Sequence, residues 1–546
     1  MNLLYNFRTI VVLLFFCMFL VIFFACKSHN HPDKKIFHYN EQSGIASLDP
    51  AFAKNQSIMW AVHQLYSTLI EVDQNMHLKP LLAKSWKVDT GNTVITFHLR
   101  NDVFFHDDAA FLNGKGRKLV ASDVVYSFNR LINKNTASPG GWVFNTRVDS
   151  LQPFIAINDS TFQLKLVRPF QPILGILSMQ YCSIVAKEVV DKYGAAFRHH
   201  PVGTGPFAFV AWEEGQALVM KKNELYFEKD SAGTSLPYLD GVKVSFFESK
   251  ATEFLEFQQK RLDFINDIDA SFKDEILTKT GNLKKVWEGK IILQKHPYLN
   301  IEYLGILVDT NNALVKSSPL RLQKIRQAIN YGFDRKKMML YLRNSIGTAA
   351  ESGFVPKGLP SFNDSIVAGY RYNVLKAKQL LTDAGYANGK NLPVIKLLTI
   401  PIYADLASYI ANELSIIGIK VQVETIQKSL LLEQTSKSLA LFFRGSWIAD
   451  YPDAENFLSV FYGKNPAPPN YTRFKNAQFD KLYEMAIDEK RDSVRYSYYQ
   501  QLDKIIVEEA PIVPLWYDMA IHLVQPYVKD FYPNSLNLLE LRKVKK

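Results

Sequence analysis

Residues 394–426 hold the pattern that most restricts what this chain can fold into: VIKLLTI, then ASYIANELSIIGI, then KVQVETI. The first and last segments have the length and apolar patterning of strands. The middle one repeats its apolar residues at helical spacing until Gly418 stops it. Strand, helix, strand in immediate succession is a right-handed crossover unit, which needs a parallel or mixed sheet with helices packed on it.

The same two periods recur along the chain. IMWAVHQLYSTLI (Ile58 to Ile70) predicts a helix, TVITFHLR (Thr93 to Arg100) a strand, and SDVVYSFNRLI a helix capped by Ser122 or Asp123. TFQLKLVRP reads as a strand closed by Pro169, FAFVAWEEGQALVMKKN as a hairpin, YLDGVKVSFF as a strand and TEFLEFQQKRLDF as a helix. PVGTGPF, Pro201 to Phe207, reads as a tight turn, since it crowds two glycines and two prolines into seven residues. Beyond residue 300, YLGILVD predicts a strand and LRLQKIRQAINYGFDRKKMMLYL one or two helices. VLKAKQLLTDAGY predicts a helix ended by Gly385, and Leu439 to Phe443 a short strand. With 546 residues, this α/β succession fills two or three domains rather than one core.

The chemistry sits on GSWIADYPDAENFL, Gly445 to Leu458, at the carboxyl end of that last strand, where α/β folds build their sites. Asp450, Asp453 and Glu455 lack the alternate spacing of a calcium loop, and Pro452 interrupts them. Asp453 or Asn456 accounts for part of the cluster as the start of the helix ENFLSVF. Trp447 is left over. An indole and a carboxylate at a strand end suit an ammonium group, through ion pairing and attraction to the ring face.

Enzyme signatures are missing: the chain has no G-x-S-x-G, no paired helical histidines, no C-x-x-C and no phosphate loop. His106-Asp107-Asp108 and His199-His200 read as solvated loop polarity, and His29 and His31 as polarity in an N-terminal tether. The net charge of +11 is dispersed, without a basic stripe for nucleic acid.

At the N-terminus, Arg8 precedes an uncharged apolar run from Thr9 to Ala25, then Cys26 and a polar tether. This is a signal sequence, and a run of this length also suffices to cross a bilayer as a permanent helix. Ala25-Cys26 resembles the lipobox of bacterial lipoproteins, which implies lipidation of Cys26. Of the three cysteines only Cys182 then remains in the folded body. Its apolar surroundings predict a buried structural thiol and no disulfide.

LAKSWKVDTGNTVITFHLRNDVFFHD, ASDVVYSFNRL, PVGTGPF, RQAINYGFDRKKM and RGSWIADYPDAENFL occur in an order that resembles the peptide-binding class of bacterial ABC-importer solute receptors, the family 5 extracellular solute-binding proteins. PIVPLWY, Pro511 to Tyr517, is similar to the family's return to its first lobe. The resemblance implies a bilobal α/β fold of the large type II periplasmic-binding class, with an extra small α/β domain inserted in the first lobe. Residues 1–26 would be the signal, 27–57, 196–297 and 508–546 the first lobe, 58–195 the small domain and 298–507 the second lobe. It implies a monomeric, lipid-anchored receptor that closes on short peptides and delivers them to a permease and ATPase complex, without catalysis or a cofactor. Asp450 matches the family's amine contact, Trp447 stands beside it, Arg444 matches a carboxylate contact, and INKNTASPGGWVF resembles a cleft-lining stretch that supplies an aromatic, for which Trp142 is the candidate although the glycine-rich GGW departs from the family's letters. The class also includes receptors for nickel, haem and sugars, and a peptide sensor fits the same residues.

Overall fold

A computed structural model describes residues 34–546. Cys26, the apolar run before it, His29 and His31 lie outside the described residues.

Two long antiparallel strands, Ile292–Ile306 and Ile512–Val524, form the spine. Fifteen extended residues cover about 50 Å, enough to serve two bodies in turn. At one end the spine pairs with Phe442–Ile448, which runs parallel to Ile395–Thr399, itself parallel to Val421–Thr425. The helix Ala404–Ile416 makes the crossover, and Gly418, at φ +96°, turns the chain into the last strand. At the other end Ile512–Val524 pairs with Phe264–Asn266, and the sheet continues through Ile36–Asn40 and Gly241–Ser245 to the hairpin Ala217–Lys222 and Phe207–Glu213. One sheet therefore carries both lobes, and only the spine runs the length of it.

The second lobe has an apolar centre of its own, and a larger continuous one joins the first lobe, the small domain and part of the second lobe. Leu304, Ile329, Leu397, Ile410, Leu414, Phe442 and Trp516 pack the second lobe, and Phe37, Tyr39, Trp60 and Phe264 the first. The small domain is a separate antiparallel sheet in the order Ala83–Val88, Val94–Leu99, Thr161–Lys165, Phe154–Asn158. The helix Ala121–Ile132 covers it and inserts Phe128 among Phe144, Phe154 and Phe162, with ring centroids 5.0–5.6 Å apart.

Five local expectations change. The helix expected over TEFLEFQQKRLDF ends at Gln258, and Phe264 opens the strand Phe264–Asn266. The first helix runs Gln56–Leu65, capped by Asn55, and Ile70 already belongs to the strand Ile70–Val72. Asp123 sits inside its helix and accepts the Val120 N–H at 2.9 Å, so it closes the helix start from the third position. PVGTGPF is no tight turn: it crosses the end of the first helix so closely that a Cβ on Gly203 would meet the Leu65 carbonyl at 2.2 Å, and one on Gly205 the Gln64 carbonyl at 2.5 Å. His106 is buried rather than solvated, bridging this crossing through Nε2 to the Gly205 carbonyl at 3.0 Å, and burial pushes its pKa down to about 4. Cys182 is fully buried, in line with a structural thiol.

Candidate ligand-binding cleft

The second lobe delivers Asp450 through the strand Phe442–Ile448. That strand extends further than its apolar half predicts and takes Arg444 and Trp447 into the ladder. The Ala449 N–H still bonds the Leu299 carbonyl at 2.8 Å, and Asp450 follows at the first free position. Asn456 then organises the turn. Its Oδ1 accepts from the Trp447 indole at 3.0 Å and from the Asp450 N–H at 3.3 Å, while its Nδ2 donates to the Asp450 carboxylate at 3.4 Å. Glu455, fully buried, accepts the hydroxyls of Tyr451 and Tyr483 and fixes the loop from behind. Asn456 thus lies inside the short helix Glu455–Leu458, and Asp453 accepts the Glu455 N–H at 2.9 Å just before it.

The small domain meets this loop. Pro452 lies where a Cβ on Gly175 would sit 3.5 Å away, and the Trp142 ring centroid is 6.4 Å from that of Tyr451. Arg147 donates to the Trp142 carbonyl at 2.6 Å and places its guanidinium 5.8 Å from the indole. Gly140 gives the Tyr181 ring its room, since any Cβ would fall 2.4 Å from it.

Asp450, Trp142, Tyr181 and Tyr298 line a cavity of about 980 Å³, most of whose remaining wall comes from residues 53–75 and 530–545. Asp450 is open to solvent, yet desolvation holds its carboxyl above the usual carboxylate range, against the Asn456 hydrogen bond and the field of Arg147. The two facts describe one geometry: the group faces water inside the cavity, and protein surrounds that water. Among the described residues no basic nitrogen lies within 4 Å of it, so its charge is available to a ligand.

The other proposed contacts lie apart from that wall. Trp447 is held by Asn456, packs partly buried on the core and does not border the cavity. Arg444 sits four residues earlier on the face of the strand that ends with Ile448, which does border it. Its guanidinium lies 4.1 Å over the Tyr403 ring and bonds Glu302 at 2.5 Å. Tyr403 in turn stacks toward Trp516 at 6.3 Å, and Arg343 covers Trp516 at 4.6 Å while pairing with Asp518 at 3.5 Å. Desolvation raises the Glu302 carboxyl, with Arg444 opposing it. Buried polar atoms along this row have no partner: Nε of Arg444 and of Arg343, Nε1 of Trp516, and Oδ1 of Asn300. Sequence reading missed Asn456 as an organiser and missed Glu302 and Arg343 altogether, because no periodic spacing joins them to Asp450.

Residues 77–469 match the profile of the bacterial extracellular solute-binding proteins, family 5 middle. The chain belongs to this family. Family 5 is a family of substrate-binding receptors of ABC transporters, not of enzymes. Haem-binding protein A of Haemophilus influenzae is 28% identical over 488 residues, covering 86% of this chain and 84% of that protein. Dipeptide-binding protein DppE of Bacillus subtilis is 25% identical, covering 93% and 91%. The structure of HbpA2 from Haemophilus parasuis superposes with a TM-score of 0.80 at 23% identity, covering 93% of this chain and 99% of that one. The bilobal fold with its added small domain is thus the fold of this family 5 chain.

Proposed function

We propose that this family 5 receptor binds short peptides in the cavity between its lobes, is held to the envelope by lipid on Cys26, and hands its ligand to a permease. The observation that carries the reading is Asp450. It is a carboxylate without an ion-pair partner among the described residues, fixed by Asn456 at the edge of a 980 Å³ cavity beside Trp142 and Tyr181. An α-ammonium group is common to all peptides, so a receptor tolerant of side chains gains most by holding it. Arg444, matched to a carboxylate contact, is paired with Glu302 away from the cavity wall, so the reading rests on the amino end of the ligand. Trp447 acts at one remove, by orienting Asn456.

Thermal-shift screening of the purified protein tests this directly, because a ligand that binds only the folded state raises the melting temperature. Mixed di- to pentapeptides are expected to raise it, and Asp450→Asn to remove most of the rise. A rise with haem, nickel or an oligosaccharide and none with peptides would overturn the peptide reading.

A further inference from the structure

The cavity carries a second concentration of charge away from Asp450. The Arg542 guanidinium is shared by three carboxylates: Glu71 at 2.7 Å, Glu540 at 2.5 Å, and Glu228. Nε2 of His63 lies 3.2 Å from Glu540. Glu71, Glu540, Arg542 and His63 all line the cavity, with side chains 10–28% exposed. One guanidinium balances one carboxylate, so the cluster keeps an excess negative charge even when His63 is protonated.

Arg542 donates to all three carboxylates, and against burial Arg542 and His63 hold the Glu540 carboxyl well below the usual carboxylate range, yet one guanidinium leaves part of the charge uncompensated. Like charges gathered on one cation in a partly desolvated wall repel one another, and a single carboxylate would suffice to pin Arg542 and the C-terminal segment. Burial indeed pushes the Glu71 carboxyl up, with Arg542 pulling it back and Glu228 and Glu540 pushing it further. A void of about 10 Å³ opens behind the cluster, lined by Tyr66 with Glu71, His63 and Arg542. Tyr66 is 2% exposed and its hydroxyl has no hydrogen-bond partner. A void of this size has room for about one water. Apart from Asp450, the other acids on the wall are compensated: Asp73 by Lys79 at 3.5 Å and Asp530 by Lys545 at 3.0 Å. Lys54 and Lys543 also border the cavity, as exposed side chains whose charge water and salt screen.

We infer that Glu71 and Glu540 form a second charge-reading point, which takes a cationic side chain of the ligand and makes the preferred ligand a peptide with a lysine or arginine besides its amino end. The inference rests on the peptide reading. Calorimetric titration with tetra-alanine carrying one lysine, or one norleucine, at each position in turn tests it without a variant, since norleucine keeps the stem and drops the charge. At one position lysine is expected to bind about tenfold tighter than norleucine. Glu71→Gln should bring that ratio close to one, whereas Asp450→Asn should weaken both peptides and keep the ratio. Binding of the alanine peptides without any lysine preference, or a preference that survives in Glu71→Gln, overturns the inference and leaves the peptide reading standing. No binding by any peptide overturns both. If Glu71→Gln fails to fold, the comparison on the wild-type protein decides.

Discussion

Asp450 and Trp447 stand three positions apart and do different work. Asp450 lies two residues past the strand's last residue and meets the cavity, whereas the Trp447 indole is spent on Asn456. The sequence marks both as a pair for an ammonium group. It cannot mark Asn456, because a side chain six residues away that bonds both has no periodic signature. The same holds for Arg444, whose spacing from Trp447 is visible while its buried partner Glu302 comes from a strand 142 positions away. Glycine shows the reverse case. PVGTGPF looks like turn chemistry, yet what its glycines supply is absence of volume against the Leu65 and Gln64 carbonyls. Gly203→Ala is therefore expected to destabilise the protein by about 3 kcal/mol, read from urea unfolding, because the backbone it meets has nowhere to go.

At the scale of elements, periodicity located most strands and helices, and the crossover at residues 395–425 is parallel as its order requires. Ends were less legible. The strand after Phe443 continues through three polar or small positions, Arg444 to Ser446, because its partner, Ile292–Ile306, offers a full ladder as far as Ile448. One helix also carries a pH-dependent tie. Asp503, on the helix Asp492–Glu509, is fully buried and accepts the Phe354 N–H at 2.6 Å and the Val355 N–H at 3.3 Å. Burial raises its pKa to about 7, against the pull of those two N–H groups. An acid whose pKa is higher folded than unfolded stabilises most below its unfolded pKa, and that contribution fades as the pH rises through the folded one. Between about pH 4 and 7 the folded protein should lose on the order of 4 kcal/mol from this group. Asp503→Asn is expected to flatten that part of the profile, measured as urea midpoints across the range, and an unchanged slope would show that Asp503 does not titrate there.

For the whole molecule, one sheet runs through both lobes, and it narrows where only the two spine strands continue. The stretch of Ile512–Val524 between its pairing with Thr348–Ala349 and with Phe264–Asn266 has no third strand at its edge. Closure about this spine is expected to lower the radius of gyration when peptide is added, and small-angle scattering should show it. Asp450→Asn should reduce the change in step with its loss of affinity. The family order of motifs made the bilobal body legible. The division of the cavity wall among the second lobe, the small domain and the C-terminal segment was not, because those pieces meet only through tertiary packing. On the proposed function, Asp450 holds a ligand's ammonium group. Calorimetric titration of the purified protein with tri-alanine and with N-acetyl-tri-alanine tests it most directly, since acetylation removes that charge and keeps the rest. The free peptide is expected to bind and the acetylated one to lose about a hundredfold in affinity. Equal binding of the two would contradict the claim.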